Sequence, residues 1–199
     1  MWSTLSAVAL AQAELESIDS ETAKQVAEQF SEQVQKFKKP QVKVEPDPSQ
    51  VNGVHKPGEA GVLIVPQKDL TEDKLRDAAK SKAGAGVAFL FMYRLVPVVD
   101  GNGVAKEKMR SVTHTNENGD KTAIHCLILA VRQVSDKDRR LYVYGTDSKP
   151  LIDIPLSENA GPGTQPLAVE IKIQNQEGKL FVTLFDKYQA SFKVMHQPD

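Results

Sequence analysis

The sequence predicts an α+β protein that is mainly antiparallel β: a β-sandwich or partly open barrel with an N-terminal amphipathic helix and one further helix packed outside. Two observations lead to this class. Apolar residues recur every three or four positions in two segments before residue 86, and they alternate with a period of two in many segments after it. Helices and strands therefore come in separate runs, which is typical of antiparallel sheets with helices outside them.

Composition excludes several classes of protein. The chain has 199 residues, of which 40% are hydrophobic and 26% charged, so a single domain with a real core is expected. The net charge of −1 disfavours a dedicated nucleic-acid binder, which needs a basic excess. A single cysteine rules out an intrachain disulfide and zinc sites built from cysteine pairs. The most apolar run, 87–99, is shorter than the ~20 residues of a membrane-spanning helix, so no membrane span is expected.

The N-terminal segment 1–13 predicts a secretory signal peptide. An apolar stretch over 5–10 precedes Ala11-Gln12-Ala13, which fits the small-x-small cleavage pattern. No Lys or Arg precedes Lys24, so the basic start of a complete signal is missing and a truncated signal peptide is predicted. We therefore expect export to the periplasm or the extracellular space. The alternative is that 2–9 forms one face of a soluble helix.

The region 14–40 is predicted to hold the N-terminal helix. Its apolar residues have helical spacing over 20–37, Thr22 with Gln25 fits a capping box, and Pro40 stops the helix. The stretch 41–60 is rich in Pro, Gly and Asn and is predicted to be a linker with an edge strand at 41–45.

The region 61–199 is predicted to form a single β-rich domain. A strand at 61–66 is followed by a helix over 70–83, for which Asp69 and Glu72 have capping-box spacing. The remaining strands share short apolar or alternating patterns separated by turn residues, and they are expected at 87–99, 109–115, 121–133, 141–144, 151–154, 167–174, 180–186 and 188–194. The last three are predicted to form an antiparallel meander.

The hairpin around Asn118-Gly119 carries the candidate metal ligands, His114 and His125. With a two-residue turn, His114 faces Ala123 and His125 lies one diagonal step along the same face. Two imidazoles can begin a metal site, but the sequence marks no third ligand. A register shift of one residue would place the two rings on opposite faces.

The remaining candidates lie in loops or in the core. Cys126 is predicted to be a small buried residue, because it lies between two isoleucines on its face of the strand. Loops at the ends of a sandwich usually carry binding function, and the candidate binding residues in them are Asn116, Asn118, Asp120, Asp147 and Asn159.

These patterns predict an exported, non-enzymatic β-rich module with a binding or structural role. No nucleophile elbow, phosphate-binding loop or other compact catalytic motif is present, and no cofactor is expected. A protein, a glycan or an envelope component would be the partner. The alternatives are an extracytoplasmic hydrolase, metal-dependent or based on carboxylates, and a small-ligand carrier with a roomy apolar cavity.

Signal cleavage gives the first testable prediction. Mass spectrometry of the protein purified from its native host should show a chain that begins at Glu14. Because Trp2 is the only tryptophan, that chain should also lack indole fluorescence. A chain that retains Met1 or Trp2 would contradict the predicted cleavage.

Overall fold

A computed structural model describes residues 15–116, 118–158, 166–174 and 177–197. Within these residues, two antiparallel sheets face each other across an apolar core, and two helices pack on them. The predicted fold class, mainly antiparallel β with helices outside, is confirmed. The predicted signal segment 1–13 and Asn159 lie outside the described residues.

The helices are α1 (Ser20–Val34) and α2 (Glu72–Ala78). In chain order the strands are β1 (Glu16–Ser17), β2 (Asn52–Lys56), β3 (Ala60–Pro66), β4 (Ala85–Tyr93), β5 (Leu95–Val99), β6 (Asn102–Gly103), β7 (Arg110–Thr115), β8 (Lys121–Ser135), β9 (Asp138–Tyr144), β10 (Ile152–Pro155), β11 (Ser157–Glu158), β12 (Leu167–Gln174), β13 (Glu177–Leu184) and β14 (Tyr188–His196).

The first sheet has eight strands in the order β1-β2-β3-β4-β8-β9-β10, with β7 paired to the beginning of β8. The second sheet has six, in the order β12-β13-β14-β5-β6, with β11 paired to β14. The side-chain amide of Asn52 joins the two sheets along one side. It donates to the carbonyl of Leu167 (2.6 Å) and accepts from the N–H of Val169 (3.1 Å). The sandwich is therefore closed at this side, as in a partly open barrel.

The first sheet buries both of its faces. On β4, Leu90 and Met92 point into the core between the sheets, whereas Phe89 and Phe91 belong to a second core on the outer face. A bulge between Gly86 and Ala88 sets this alternation. The outer core is covered by α1 and by the segment that follows it, so the order of layers is α1, first sheet, second sheet.

The prediction of a single strand over 87–99 is wrong, because this run forms two strands in different sheets. The chain turns at Arg94, which has a positive φ of 51°, so β4 ends in the first sheet and β5 begins in the second. The Arg94 side chain donates to the carbonyl of Gly58 (2.7 Å), which ties the corner to the β2–β3 turn.

Both helices are shorter than predicted, and both are capped by a different residue from the one predicted. Asp19, rather than Thr22, caps α1 by accepting from the Thr22 N–H (3.0 Å). Thr71, rather than Asp69, caps α2 by accepting from the Lys74 N–H (3.3 Å).

The edge strand predicted at 41–45 does not form. A single bridge joins Pro46 to Gln67, and the strand lies further along, as β2, inside the predicted linker. The segment 41–46 packs on the outer face, where Val42 is buried. The predicted hairpin of β7 and β8 and the meander of β12, β13 and β14 are confirmed.

Close packing of the segment 41–46 on the first sheet gives the second prediction. A Cβ at Gly86 would collide with the backbone oxygen of Lys43 and lie 2.6 Å from a methyl of Val44. We expect Gly86→Ala to destabilise the fold by about 1–3 kcal/mol, as overpacking does, in urea denaturation. Gly61→Ala is the matched control, since its Cβ would lie 3.3 Å from the nearest atom, the Cβ of His55. Equal stability of the two variants would contradict the close contact.

Candidate functional site

An apolar groove opens between the N-terminal half of α1 and the outer face of the first sheet. We call it the α1 groove; its volume is about 360 Å³. Its walls are apolar and include Val26, Phe30, Leu63, Phe91 and Ile124. Polar side chains also line it: Thr22, His55, Lys56, Tyr93, His114, Asn116 and Thr122. A mainly apolar pocket with a few converging polar groups is the usual form of a small-molecule site.

The groove exists because the residues at this end of α1 are small. Ala23 is buried against the sheet, and Gly61 contributes no side chain from β3. Further along α1, Phe30 and Val34 fill the same interval, and the Phe30 ring packs 4.8 Å from that of Phe91. Phe30 and Val34 therefore hold α1 at a distance from the first sheet, and the small residues near the start of α1 leave part of the space between them empty.

His114 is oriented by α1. Its Nδ1 lies 3.1 Å from Gln29 Oε1, which also accepts from the N–H of Thr115 (3.3 Å). Because an amide oxygen only accepts, Nδ1 is the nitrogen that carries the proton. In the neutral ring, Nε2 is then an acceptor on a side chain that lines the groove. The edge contact with Phe30, 6.0 Å between ring centroids, holds the imidazole in place.

His55 lines the groove near the start of α1. The pKa of the Asp19 carboxyl is lowered, chiefly because it accepts hydrogen bonds from Thr22, and the charge of His55 acts in the same direction. Ile18 and Thr22, at the start of α1, line the same groove as His55. Two imidazoles, one phenol, two threonine hydroxyls and the side chains of Asn116 and Lys56 thus border a space whose other lining side chains are apolar.

Two glutamines of α1 attach the helix to the edge of β7. The amide of Gln33 donates to the carbonyl of Thr113 (2.7 Å) and accepts from its N–H (2.8 Å), as a neighbouring strand would. Gln29 binds Thr115 and His114 one turn earlier. Sequence analysis missed these residues. Gln29 and Gln33 are four residues apart, so they lie on one face of the helix beside its apolar residues. This spacing was the only sequence pattern that could have indicated their role.

The predicted pairing of His114 with His125 is wrong, because the register differs by one residue. His114 lies opposite Thr122, since the turn closes between Asn116 and Asp120 and holds three residues rather than two. His125 consequently points to the other face of β8. Among the described residues, no three His, Cys, Asp or Glu side chains come together as metal ligands.

The predicted binding loops lie at different ends of the molecule. Asn116 lines the α1 groove, and its side chain bonds to Asp120; Asn118 is exposed beside them. The loop with Asp147 is fixed to the opposite end of β7, where Thr146 donates to Lys108. Of the predicted binding loops that the structure describes, only the turn containing Asn116 is therefore part of the groove.

Cys126 is fully buried on the outer face of β8, as predicted. Burial raises the pKa of its thiol, and the nearby Arg110 opposes this only in part. The thiolate needed for a nucleophile is thus disfavoured.

Two other features of the surface bring polar side chains together. A crevice of about 700 Å³ beside α2 is open and has mixed charge, with Lys43, Lys68 and Lys74 beside two carboxylates. The second feature is an ionic cluster in which Glu72 accepts from Lys187 (2.9 Å) and Tyr188 (3.2 Å), and these bonds lower the Glu72 pKa. That cluster joins α2 to the β13–β14 turn, and its groups are satisfied by each other.

Comparison of the chain with family models, with curated proteins and with solved structures gave no match. Within the part of the chain that the structure describes, neither helix has the length and apolar character needed to cross a membrane. The geometry of the α1 groove is therefore the basis for proposing a function.

The attachment of α1 to β7 gives the third prediction. Gln33→Ala removes the partner of the Thr113 amide, so this amide should exchange with solvent at least about tenfold faster in NMR hydrogen-exchange measurements. Global stability should fall by about 0.5–1.5 kcal/mol. Gln25→Ala is the control, because Gln25 bonds Glu21 within the helix. Unchanged exchange at Thr113 would show that the amide pairing does not persist in solution.

Proposed function

We propose that the protein is an exported β-rich binding module that holds a small, mainly apolar molecule in the α1 groove. The ligand carries a hydrogen-bond donor group, and Nε2 of His114 accepts the hydrogen bond from it. One observation carries the proposal: an imidazole fixed by Gln29 borders an apolar pocket of about 360 Å³.

The two kinds of lining group have separate roles. Contact with Phe30, Phe91 and Ile124 supplies affinity, because it removes apolar surface from water. The Nε2 acceptor of His114 selects ligands that have a donor, since an acceptor buried without a partner costs free energy. Affinity and selectivity can therefore be tested apart.

A binding role accounts for this lining better than catalysis does. The described residues that line the groove include no Asp, Glu or Cys, so neither a carboxylate pair nor a thiol faces the bound molecule. The proposal of export is supported by the apolar segment and small-x-small pattern over 5–13.

Binding of two matched probes, p-cresol and toluene, tests the proposal. Both should enter the groove and shift the NMR signals of Val26 and Ile124. The phenol should bind about fivefold more tightly, because it donates a hydrogen bond to His114. In His114→Phe that advantage should disappear, while toluene still binds.

A groove-filling variant provides the control for location. Val26→Phe should abolish binding of both probes, since Val26 is a half-buried wall residue. Val134→Phe makes the same change at an exposed position, where Val134 is 48% accessible, and should leave binding unchanged. Equal binding of the probes to all variants, or shifts at the crevice beside α2, would disprove the proposal.

A further inference from the structure

Three lysines form a row across the outer face of the second sheet. Lys172 on β12 lies directly opposite Lys179 on β13, and Lys179 lies directly opposite Lys193 on β14. All three are exposed. Opposed residues on neighbouring strands have Cα atoms about 5 Å apart, so the row spans about 10 Å. We call it the lysine row.

This arrangement opposes the stability of the sheet. Like charges placed directly opposite each other on adjacent strands are destabilising, and Lys179 takes part in two such pairs. Glu170 Oε1 lies 3.5 Å from Lys172 Nζ and offsets part of the charge on β12. The two like-charge pairs therefore oppose the stability of the sheet, and pairing with a bound polyanion would relieve this repulsion.

An aromatic ring lies beside the row. Phe181 is half-buried on the same face, with the ammonium groups of Lys172 and Lys179 at 5.1 Å and 5.3 Å from its ring centroid. These contacts draw two cations toward one ring. The described helices pack elsewhere, α1 on the first sheet and α2 at the end of the core, so neither covers this face.

We propose that the lysine row and Phe181 bind an acidic polysaccharide. Carboxylate or sulfate groups along such a chain pair with the successive lysines, while the apolar face of a sugar ring packs on Phe181. This surface lies on the opposite side of the molecule from the α1 groove, so the proposal does not depend on the one above.

Charge favours a polysaccharide over the other polyanions. Recognition of an acidic membrane typically uses four to eight clustered basic residues, and this face has three. Nucleic-acid binding usually comes with a basic excess, whereas this chain has a net charge of −1. A narrow cationic row beside one ring suits a single flexible acidic chain.

Binding to immobilised alginate, a polyuronate, tests this proposal, with neutral dextran as the reference polymer. The protein should bind alginate at low salt, lose affinity as salt rises, and not bind dextran. Lys179→Gln should lower affinity for alginate about fivefold. The same substitution should not lower the melting temperature, because the loss of both like-charge pairs offsets the loss of the contact between Lys179 and Phe181.

A loss of binding without a loss of stability distinguishes the proposal from damage to the fold. Lys149→Gln, an exposed lysine in the loop with Asp147, is the control and should change neither property. Phe181→Ala should weaken alginate binding and Phe181→Tyr should preserve it. Undiminished binding by Lys179→Gln would overturn the proposal, and so would tighter binding to phosphatidylglycerol vesicles or to single-stranded DNA than to alginate.

Discussion

The structure depends on one constraint: the first sheet is apolar on both faces and needs a cover on each side. Alternate residues of β4 and β8 belong to different cores, with Leu90 and Leu127 between the sheets and Phe91 and Cys126 on the outer face. The second sheet covers the inner face in full. The outer face is covered by a helix with few large apolar residues and by the segment that follows it. The α1 groove lies where this cover is incomplete.

Side-chain amides complete the backbone hydrogen bonding at two strand edges. Gln33 satisfies the N–H and carbonyl of Thr113 on β7, and Asn52 satisfies Leu167 and Val169 on β12. An amide side chain has the donor and acceptor of a peptide group, so it can pair with an edge as a strand does. Unlike a strand, it presents no further edge for another chain to join. The same contacts position α1, and thereby His114, so the geometry of the groove follows from the closing of the β7 edge.

The sequence predicted those features that depend on periodicity: the two helices, the central strands, the meander and the burial of Cys126. It could not predict those that depend on single backbone conformations or on tertiary contact. One extra residue in the turn after Asn116 moved His125 to the other face, and a positive φ at Arg94 divided one apolar run between two sheets. The strand β2 was missed because Gly53 and Asn52 resemble loop residues. Asn52 is explained by its bonds to β12, which no local pattern reveals.

The two proposed binding surfaces lie on opposite sides of the layered structure. The α1 groove belongs to the outer face of the first sheet and the lysine row to the outer face of the second, and packed sheets are about 10 Å apart. The core between them is filled by residues such as Leu129 and Leu180, which are fully buried. Substitutions at sites this far apart, with no shared partner, add in free energy. Occupancy of one surface should therefore leave the affinity of the other unchanged, and a double variant such as Val26→Phe with Lys179→Gln should lose both activities by the amounts of the single variants. A module of this kind can hold a small molecule while it is attached to an acidic polymer, because neither ligand reaches the layer that binds the other.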